Sequence, residues 1–167
     1  AKLLCRGETL GCFQLESPAM RSLLVQMQAR TARDTIQAIA LIRPGPASGG
    51  LKESFCRRIR GQEHPTPPHP CLAELLGDQQ GLLLYEENVM ETIALVTGSS
   101  LAEGDLVRRA LLQAIGSNDQ EKLKRLGDEF IAAGIGNNFG ATDARQLWQY
   151  LQRFGRYCFN KSHSASY

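Results

Sequence analysis

The sequence predicts a mainly α-helical fold with at most one or two short strands. Three observations lead there. Apolar residues recur at three- and four-residue spacing along most of the chain, and helix-capping residues stand in front of those stretches. Only one short apolar run, Leu82-Leu83-Leu84-Tyr85, has the length and composition of a strand.

Ser17 followed by Pro18 has the form of an N-cap with proline at the first helical position, where the missing N–H is not needed. Met20, Leu23, Leu24 and Met27 then fall on one helix face. Thr31, with Asp34 three residues on, reads as a capping box with Asp in place of Glu, ahead of Ile36, Ile39 and Ala40. Arg43-Pro44-Gly45-Pro46 ends that helix, because proline lacks a donor and restricts the residue before it. Gly49 and Gly50 extend the break, and a short helix from about Leu51 to Arg60 is stopped by Gly61. A proline-rich, extended loop covers 62–70, through His64-Pro65-Thr66-Pro67-Pro68-His69-Pro70. The Leu82 run is either a strand or the entry to a helix from Glu87 to Val96, which ends at Gly98. Ser100 with Glu103 opens the next helix as a capping box, and Asn118 with Glu121 repeats the signal. Gly134, Gly136 and Gly140 mark a glycine-rich turn over 134–140 before a long helix from about Thr142 to Phe154. Ser162 to Tyr167 read as the first turn of a further helix. No internal repeat is visible, and residues 1–167 are read as a single domain. A start without Met and a finish inside a helical turn read as an excised segment.

A chain of 167 residues, 43% of them hydrophobic, can bury a real core, and a charged share of 22% without long one-sign blocks argues against disorder. No apolar run reaches the roughly 18 residues of a membrane span, and no signal peptide is seen. The net charge of +2 is too small to argue for nucleic acid by itself. Arginine, however, supplies most of the 19 basic residues, the lysines being only Lys2, Lys52, Lys122, Lys124 and Lys161. Guanidinium groups pair bidentately with phosphate and carboxylate, so anion binding and ion pairing are both open. The five cysteines, Cys5, Cys12, Cys56, Cys71 and Cys158, have no C-x-x-C spacing and an odd count; they read as reduced, mostly buried thiols. His64 and His69 flank prolines without an accompanying Cys or carboxylate cluster, so no metal site is expected there.

Five segments carry a functional signal: Phe13-Gln14-Leu15-Glu16-Ser17, Arg43-Pro44-Gly45-Pro46, Leu84-Tyr85-Glu86-Glu87-Asn88-Val89-Met90, Arg108-Arg109 and Phe159-Asn160-Lys161-Ser162-His163-Ser164. On a helix of about 3.6 residues per turn, Val107, Ala110, Leu111 and Ala114 share a face. Arg109 then points roughly opposite that face and Arg108 lies at its flank. Arg109 can meet an anion, or pair with Glu103 or Asp105. Asn160-Lys161-Ser162-His163 puts donors at a helix N-terminus, an arrangement that favours phosphate. The alternative is that Ser162 is an N-cap and His163 a packed, hydrogen-bonded side chain. Tyr85 can stack on a base or belong to the core, and Arg43 can bind backbone phosphate or pair with Glu16 or Glu53.

In this order and at these intervals the segments resemble the bacterial family-C replicative DNA polymerases, in register from about Leu4 to Tyr167. The stretches 13–17, 43–46 and 159–164 are the most specific. The resemblance implies a multi-helix fingers domain that follows the palm, closes over the incoming nucleotide and lines the DNA. It implies nucleotide or phosphate binding by Arg108, Arg109, Asn160, Lys161, Ser162 and His163. For Gln14, Glu16, Arg43, Tyr85 and Glu87 it implies DNA contact or shaping of the site. Template-primer DNA and dNTP are the implied ligands and the rest of the polymerase chain the implied partner. Sliding clamp and clamp loader would be reached through other regions, at the nucleoid in the cytoplasm and not at a membrane. Family members hold two Mg2+ ions on palm aspartates that include an Asp-x-Asp pair; no Asp-x-Asp occurs in this sequence. With palm, thumb and exonuclease/PHP regions absent, the expectation is a piece of a nucleotidyltransferase with no catalytic residue, no bound cofactor or metal and no polymerisation on its own. Two features depart from the family. The lysine run that usually follows the arginine pair is replaced by Leu111-Leu112-Gln113-Ala114-Ile115-Gly116, and Glu86 and Asn88 stand where glutamines are common. They keep a second reading open: a stand-alone or diverged helical module without polymerase activity that binds nucleic acid or a protein partner.

Overall fold

Ten α-helices form among the described residues, which are 2–42 and 50–167 of this computed structural model. They are α1 (Lys2–Cys5), α2 (Pro18–Met27), α3 (Ala32–Leu41), α4 (Leu51–Ile59), α5 (Ala73–Leu76), α6 (Glu86–Thr97), α7 (Leu101–Gly116), α8 (Gln120–Gly136), α9 (Ala141–Phe154) and α10 (Lys161–Ser166). No strand forms among the described residues, and the Leu82 run is instead the buried approach to α6. The expectations for Arg43-Pro44-Gly45-Pro46 lie outside the described residues.

The helices belong to two compact units, Ala1–Thr66 with Phe159–Tyr167, and Pro67–Cys158. In the first, α2 packs on α1, α3 and α4, and α3 also packs on α10. Ser17 accepts the Met20 N–H at 3.2 Å and Pro18 occupies the first helical position, so α2 starts where its cap dictates. Its apolar face, Met20, Leu23, Leu24 and Met27, is buried throughout, each side chain contributing about 1.5–3 kcal/mol. Asp34 accepts from the Arg30 and Thr31 N–H groups at 2.7 and 2.9 Å, while Thr31 caps the Asp34 N–H at 3.1 Å. The loop between α1 and α2 turns at Gly7, whose φ is +64° and whose absent Cβ would stand 2.9 Å from the Arg21 carbonyl oxygen. Any side chain there would meet both strain and backbone.

The second unit is built around α6 to α9. Val89, Ile93 and Val96 of α6 meet Leu111 and Ala114 of α7, Leu126 and Phe130 of α8, and Leu147, Trp148 and Leu151 of α9. The Phe130 and Trp148 rings lie 5.2 Å apart, a distance at which aromatic pairs attract beyond their buried area. Ser100 and Glu103 form the expected capping box on α7.

Three local expectations change. The cap of α8 is Asp119, which accepts the Lys122 N–H at 2.9 Å; Asn118 is in the left-handed region, φ +54°, closing the turn before it. Gly134 and Gly136 are not in a turn but in the last turns of α8, where Gly134 lets Val96 and Ala144 pack close. Of the five free thiols only Cys56 and Cys158 are buried, Cys5 and Cys71 are half-buried and Cys12 is exposed.

Gly104 sets the spacing of α6 and α7: a Cβ on it would lie 2.6 Å from the Met90 carbonyl oxygen. Gly104→Ala is therefore expected to destabilise the protein by about 1–3 kcal/mol despite alanine's better helix propensity. Gly116→Ala, at the exposed end of the same helix with nothing within 4 Å, should instead stabilise by up to about 1 kcal/mol. Thermal unfolding distinguishes them, at roughly 2–4 °C per kcal/mol.

Glu63 ties the end of α4 to the chain that follows it. Its carboxylate accepts from Ser54 Oγ at 2.6 Å, Arg58 Nε at 2.7 Å and Arg57 Nε at 2.9 Å. The Ser54 hydroxyl first, and then the two guanidinium groups, hold its pKa down to about 2 from an ordinary 4.5. A depressed carboxylate stabilises the fold above its unfolded pKa and loses that contribution as pH falls through the folded value. In acid titrations followed by circular dichroism, Glu63→Gln should be less stable than wild type above about pH 4.5, and the gap should close towards about pH 2.

Candidate functional site

Two of the sequence segments, 13–17 and 159–164, come together in the first unit. Phe13, Gln14, Glu16 and Ser17 line one side of a cavity of about 460 Å³, and Phe159, His163 and Tyr167 line another. Met20 of α2 and Ile39 and Ile42 at the end of α3 complete it with apolar surface. Local chemistry places each group. Gln14 takes the left-handed conformation, φ +62°, in the turn that leads into α2. The Glu16 carboxylate accepts the Gly11 N–H at 3.2 Å, and buried Thr9 donates its hydroxyl to the Leu15 carbonyl at 2.5 Å. The turn is thus pinned from inside.

In the second segment, Asn160 rather than Ser162 is the cap of α10: its Oδ1 accepts the His163 N–H at 2.9 Å and the Ser162 hydroxyl at 2.6 Å. Lys161 and Ser162 are exposed in the first turn. The His163 ring is hydrogen-bonded and has aromatic neighbours, but it is exposed rather than packed in the core. It lies 5.4 Å from the Phe159 ring and 4.7 Å edge-on to the Tyr167 ring, with Nε2 and Tyr167 Oη 2.9 Å apart. Tyr167 in turn lies 5.4 Å from the 72% exposed Phe13, so four rings run in series along the cavity. The sequence reading did not single out Phe13 and Tyr167 as site residues. The four-residue spacing of 159, 163 and 167, aromatic at each position, was the available signal.

The arginine pair belongs to the second unit and behaves as two different residues. Arg108, with a side chain only 11% exposed, donates from Nε and Nη2 to Asp105 Oδ1 at 2.9 and 2.8 Å, and its Nη1 lies 3.3 Å from Glu86 Oε2. Arg109 is 71% exposed, and its Nη2 lies 2.7 Å from Asp105 Oδ2. Asp105 therefore bridges both guanidinium groups, and its pKa is lowered, first by the Arg108 hydrogen bond. Of the two carboxylates the sequence offered, Asp105 is the ion-pair partner, while Glu103 caps α7. The Glu86 charge beside this region is matched by Arg108.

Tyr85 is 2% exposed, which leaves almost no ring face for a base; its place is the core reading. Its backbone N–H is accepted by Asn88 Oδ1 at 3.2 Å, so Asn88 serves the start of α6. Glu87 is half-buried in the first turn of the same helix. Arg43 lies outside the described residues. His69 Nδ1 accepts the Cys71 N–H at 3.2 Å and its Nε2 stands 3.8 Å from Asp143 Oδ2, a turn-stabilising role. Among the described residues no group of three or more His, Cys, Asp or Glu side chains could hold a metal ion, and no helix is long and apolar enough to cross a membrane.

Residues 1–138 match the model of the bacterial DNA polymerase III alpha subunit finger domain. The chain is 34% identical to the DNA polymerase III subunit alpha of Aquifex aeolicus over 166 residues, 99% of this chain and 14% of that protein. Its identity to the protein of the same name from Campylobacter jejuni is 36% over the same length, with the same coverage. An error-prone DNA polymerase from Symbiobacterium thermophilum is also 34% identical, over 167 residues and 15% of its length. The chain thus spans about one seventh of the length of these relatives.

Proposed function

The chain belongs to the family of bacterial DNA polymerase III alpha subunit finger domains, and on that premise we propose that it contributes the binding of incoming dNTP and template-primer DNA to a DNA-directed DNA polymerase. The observation that best supports this reading is the cavity into which Gln14, Glu16 and His163 converge from segments almost 150 residues apart. It is lined by both of the described segments that are most specific to the family. Its apolar floor and exposed ring edges suit a flat heteroaromatic group, and the polar Gln14, Glu16 and His163 side chains offer partners for its edge.

The charged groups divide by role. Arg109 and Lys161 are exposed cations suited to phosphate, and Asn160 and Ser162 order the turn that carries Lys161. Arg108 acts on Arg109 through their common Asp105. Gln14 and Glu16 shape the cavity, whereas Tyr85 and Glu87 build the start of α6. The metal chemistry of nucleotidyl transfer, with two Mg2+ ions, belongs to aspartates outside this sequence, which has no Asp-x-Asp pair. Around it stand the remaining polymerase chain and, through that chain, clamp and clamp loader, in the cytoplasm at the nucleoid. Relatives named DNA polymerase III subunit alpha and error-prone DNA polymerase both match the chain, so the reading is of a polymerase and not of one fidelity class.

Arg109→Ala in the polymerase that carries this segment should raise the KM for dNTP about tenfold, the effect of one charge-assisted hydrogen bond, without lowering the melting temperature. Arg108→Ala should lower the melting temperature as well, because Glu86 and Asp105 are then left without their half-buried counter-ion. An unchanged KM in Arg109→Ala defeats the triphosphate assignment. Separately, the isolated chain supplied with Mg2+, dNTP and primed template should incorporate no nucleotide; extension of the primer defeats the proposed division of labour.

A further inference from the structure

The net charge of +2 conceals an uneven distribution. The unit made of Ala1–Thr66 and Phe159–Tyr167 holds eleven Lys and Arg against five Asp and Glu, a formal +6, while Pro67–Cys158 holds eight against twelve, a formal −4. Within the first unit the carboxylates are engaged locally. Glu63 takes Arg57 and Arg58, Glu53 takes Lys52, and Asp34 accepts two backbone N–H groups.

The cations left over gather around α1 and α2. Lys2, Arg6 and Arg30 line a concavity of about 240 Å³, with Cys5 beside them among the described residues. Arg6 and Arg21 line an adjoining one of about 360 Å³ that has no acidic residue among the described residues of its wall. Lys2, Arg6 and Arg30 are exposed, and no salt bridge to Lys2 or Arg30 forms among the described residues. Arg6 approaches Glu8 only at 4.0 Å, with both side chains more than half exposed, a pair of little strength in water. Two further guanidinium groups are oriented by carbonyl oxygens and form no salt bridge among the described residues. Arg21 Nε donates to the Gly7 carbonyl at 2.7 Å, and Arg60 Nε donates to the Gln26 carbonyl at 2.6 Å. A carbonyl partner fixes the direction of the side chain and leaves its full charge outward. Gly7 lets the loop close on Arg21, which brings Arg6 to the edge of both concavities.

We infer that this face of α1 and α2 binds the phosphodiester backbone of duplex DNA, with Lys2, Arg6 and Arg30 as the principal phosphate contacts and Arg21 and Arg60 beside them. The inference rests on the reading of the chain as part of a DNA polymerase, but it concerns a surface separate from the cavity and from the arginine pair of α7. Arginine forks suit phosphate oxygens, and binding to those oxygens depends on charge complementarity rather than on sequence. The ten residues of α2 extend about 15 Å, the rise of roughly four base-pair steps, so several phosphates fall within reach.

The test is fluorescence anisotropy of the chain with a fluorescein-labelled DNA duplex of about 20 base pairs, titrated between about 50 and 200 mM NaCl. The triple variant Lys2→Gln, Arg6→Gln, Arg30→Gln should bind more weakly. Its slope of log Kobs against log salt should become shallower by about 0.9 for each phosphate no longer neutralised, some two to three in all. An equal charge change on the second unit, Lys124→Gln, Arg125→Gln, Arg145→Gln, should leave the slope within about half a unit of wild type. Circular dichroism checks the fold, and single Arg6→Gln and Arg30→Gln variants, each expected to take about one unit of slope, serve if the triple variant does not fold. An unchanged slope in the first triple variant, or an equal reduction in the second, overturns the assignment. So does a first triple variant that no longer binds labelled polyglutamate but still binds duplex as wild type does, which would make the face a site for an acidic protein. A wild-type chain that binds no duplex overturns this inference and the proposed function together. An unchanged triple variant alongside a raised dNTP KM in Arg109→Ala overturns this surface alone.

Discussion

The second unit depends on the close approach of α7 to α6 at Gly104, where one helix lies against the other's backbone with no side chain between them. That approach decides which way the rest of α7 faces. With Gly104 against Met90, one helical turn on brings Arg108 to the first turn of α6, where Glu86 meets it at 3.3 Å. Arg109, the next residue, is rotated by about 100° and reaches water. A larger side chain at 104 would part the helices. Arg108 would be drawn away from Glu86, and the 3.3 Å approach that fixes its direction would lengthen.

The pairing around Asp105 follows from this. A half-buried guanidinium between two carboxylates, Asp105 and Glu86, leaves no excess positive charge at Arg108. Arg109 takes the second oxygen of Asp105 from outside, so its guanidinium is aimed and yet open to solvent. An exposed ion pair of this kind adds little stability in water, which makes the arrangement better explained by orientation than by folding energy. Two adjacent arginines in the sequence therefore divide into a scaffold group and a group with a free surface.

What the sequence made legible was local. The caps at Ser17, Thr31 and Ser100 are held by hydrogen bonds spanning three residues, and the structure has all of them. Local signals failed where two residues compete for one role: Asn118 and Asp119 can both cap, and Asn118 is drawn off by the left-handed turn that ends α7. Gly134 looked like a break because its value is a tertiary one, room for Val96 and Ala144. The site was legible as segments but not as a place. Nothing in the spacing shows that Gln14 and Glu16 share a cavity with His163, since a meeting across almost the full chain leaves no trace in periodicity. Tyr85 and Arg108 were drawn inward by which face α6 and α7 turn to the core, and that is fixed only when the helices pack.

Net charge was the least informative number for the same reason. The first unit is discontinuous, closing Phe159–Tyr167 onto Ala1–Thr66, so a scan along the chain mixes its +6 with the −4 of the intervening segment. The field near a surface is set by charges within about 8–10 Å at physiological salt, not by the sum over the molecule. A side chain such as Arg30 therefore acts with Lys2 and Arg6, which line the same concavity. Arginine chemistry strengthens the local argument. Arg57 and Arg58 are closed off by Glu63, whereas Arg21 and Arg60 are steered by carbonyl oxygens that carry no net charge. The same residue type thus supplies rigidity at Arg57 and Arg58 and outward positive charge at Arg21 and Arg60, and the partner each arginine finds decides which.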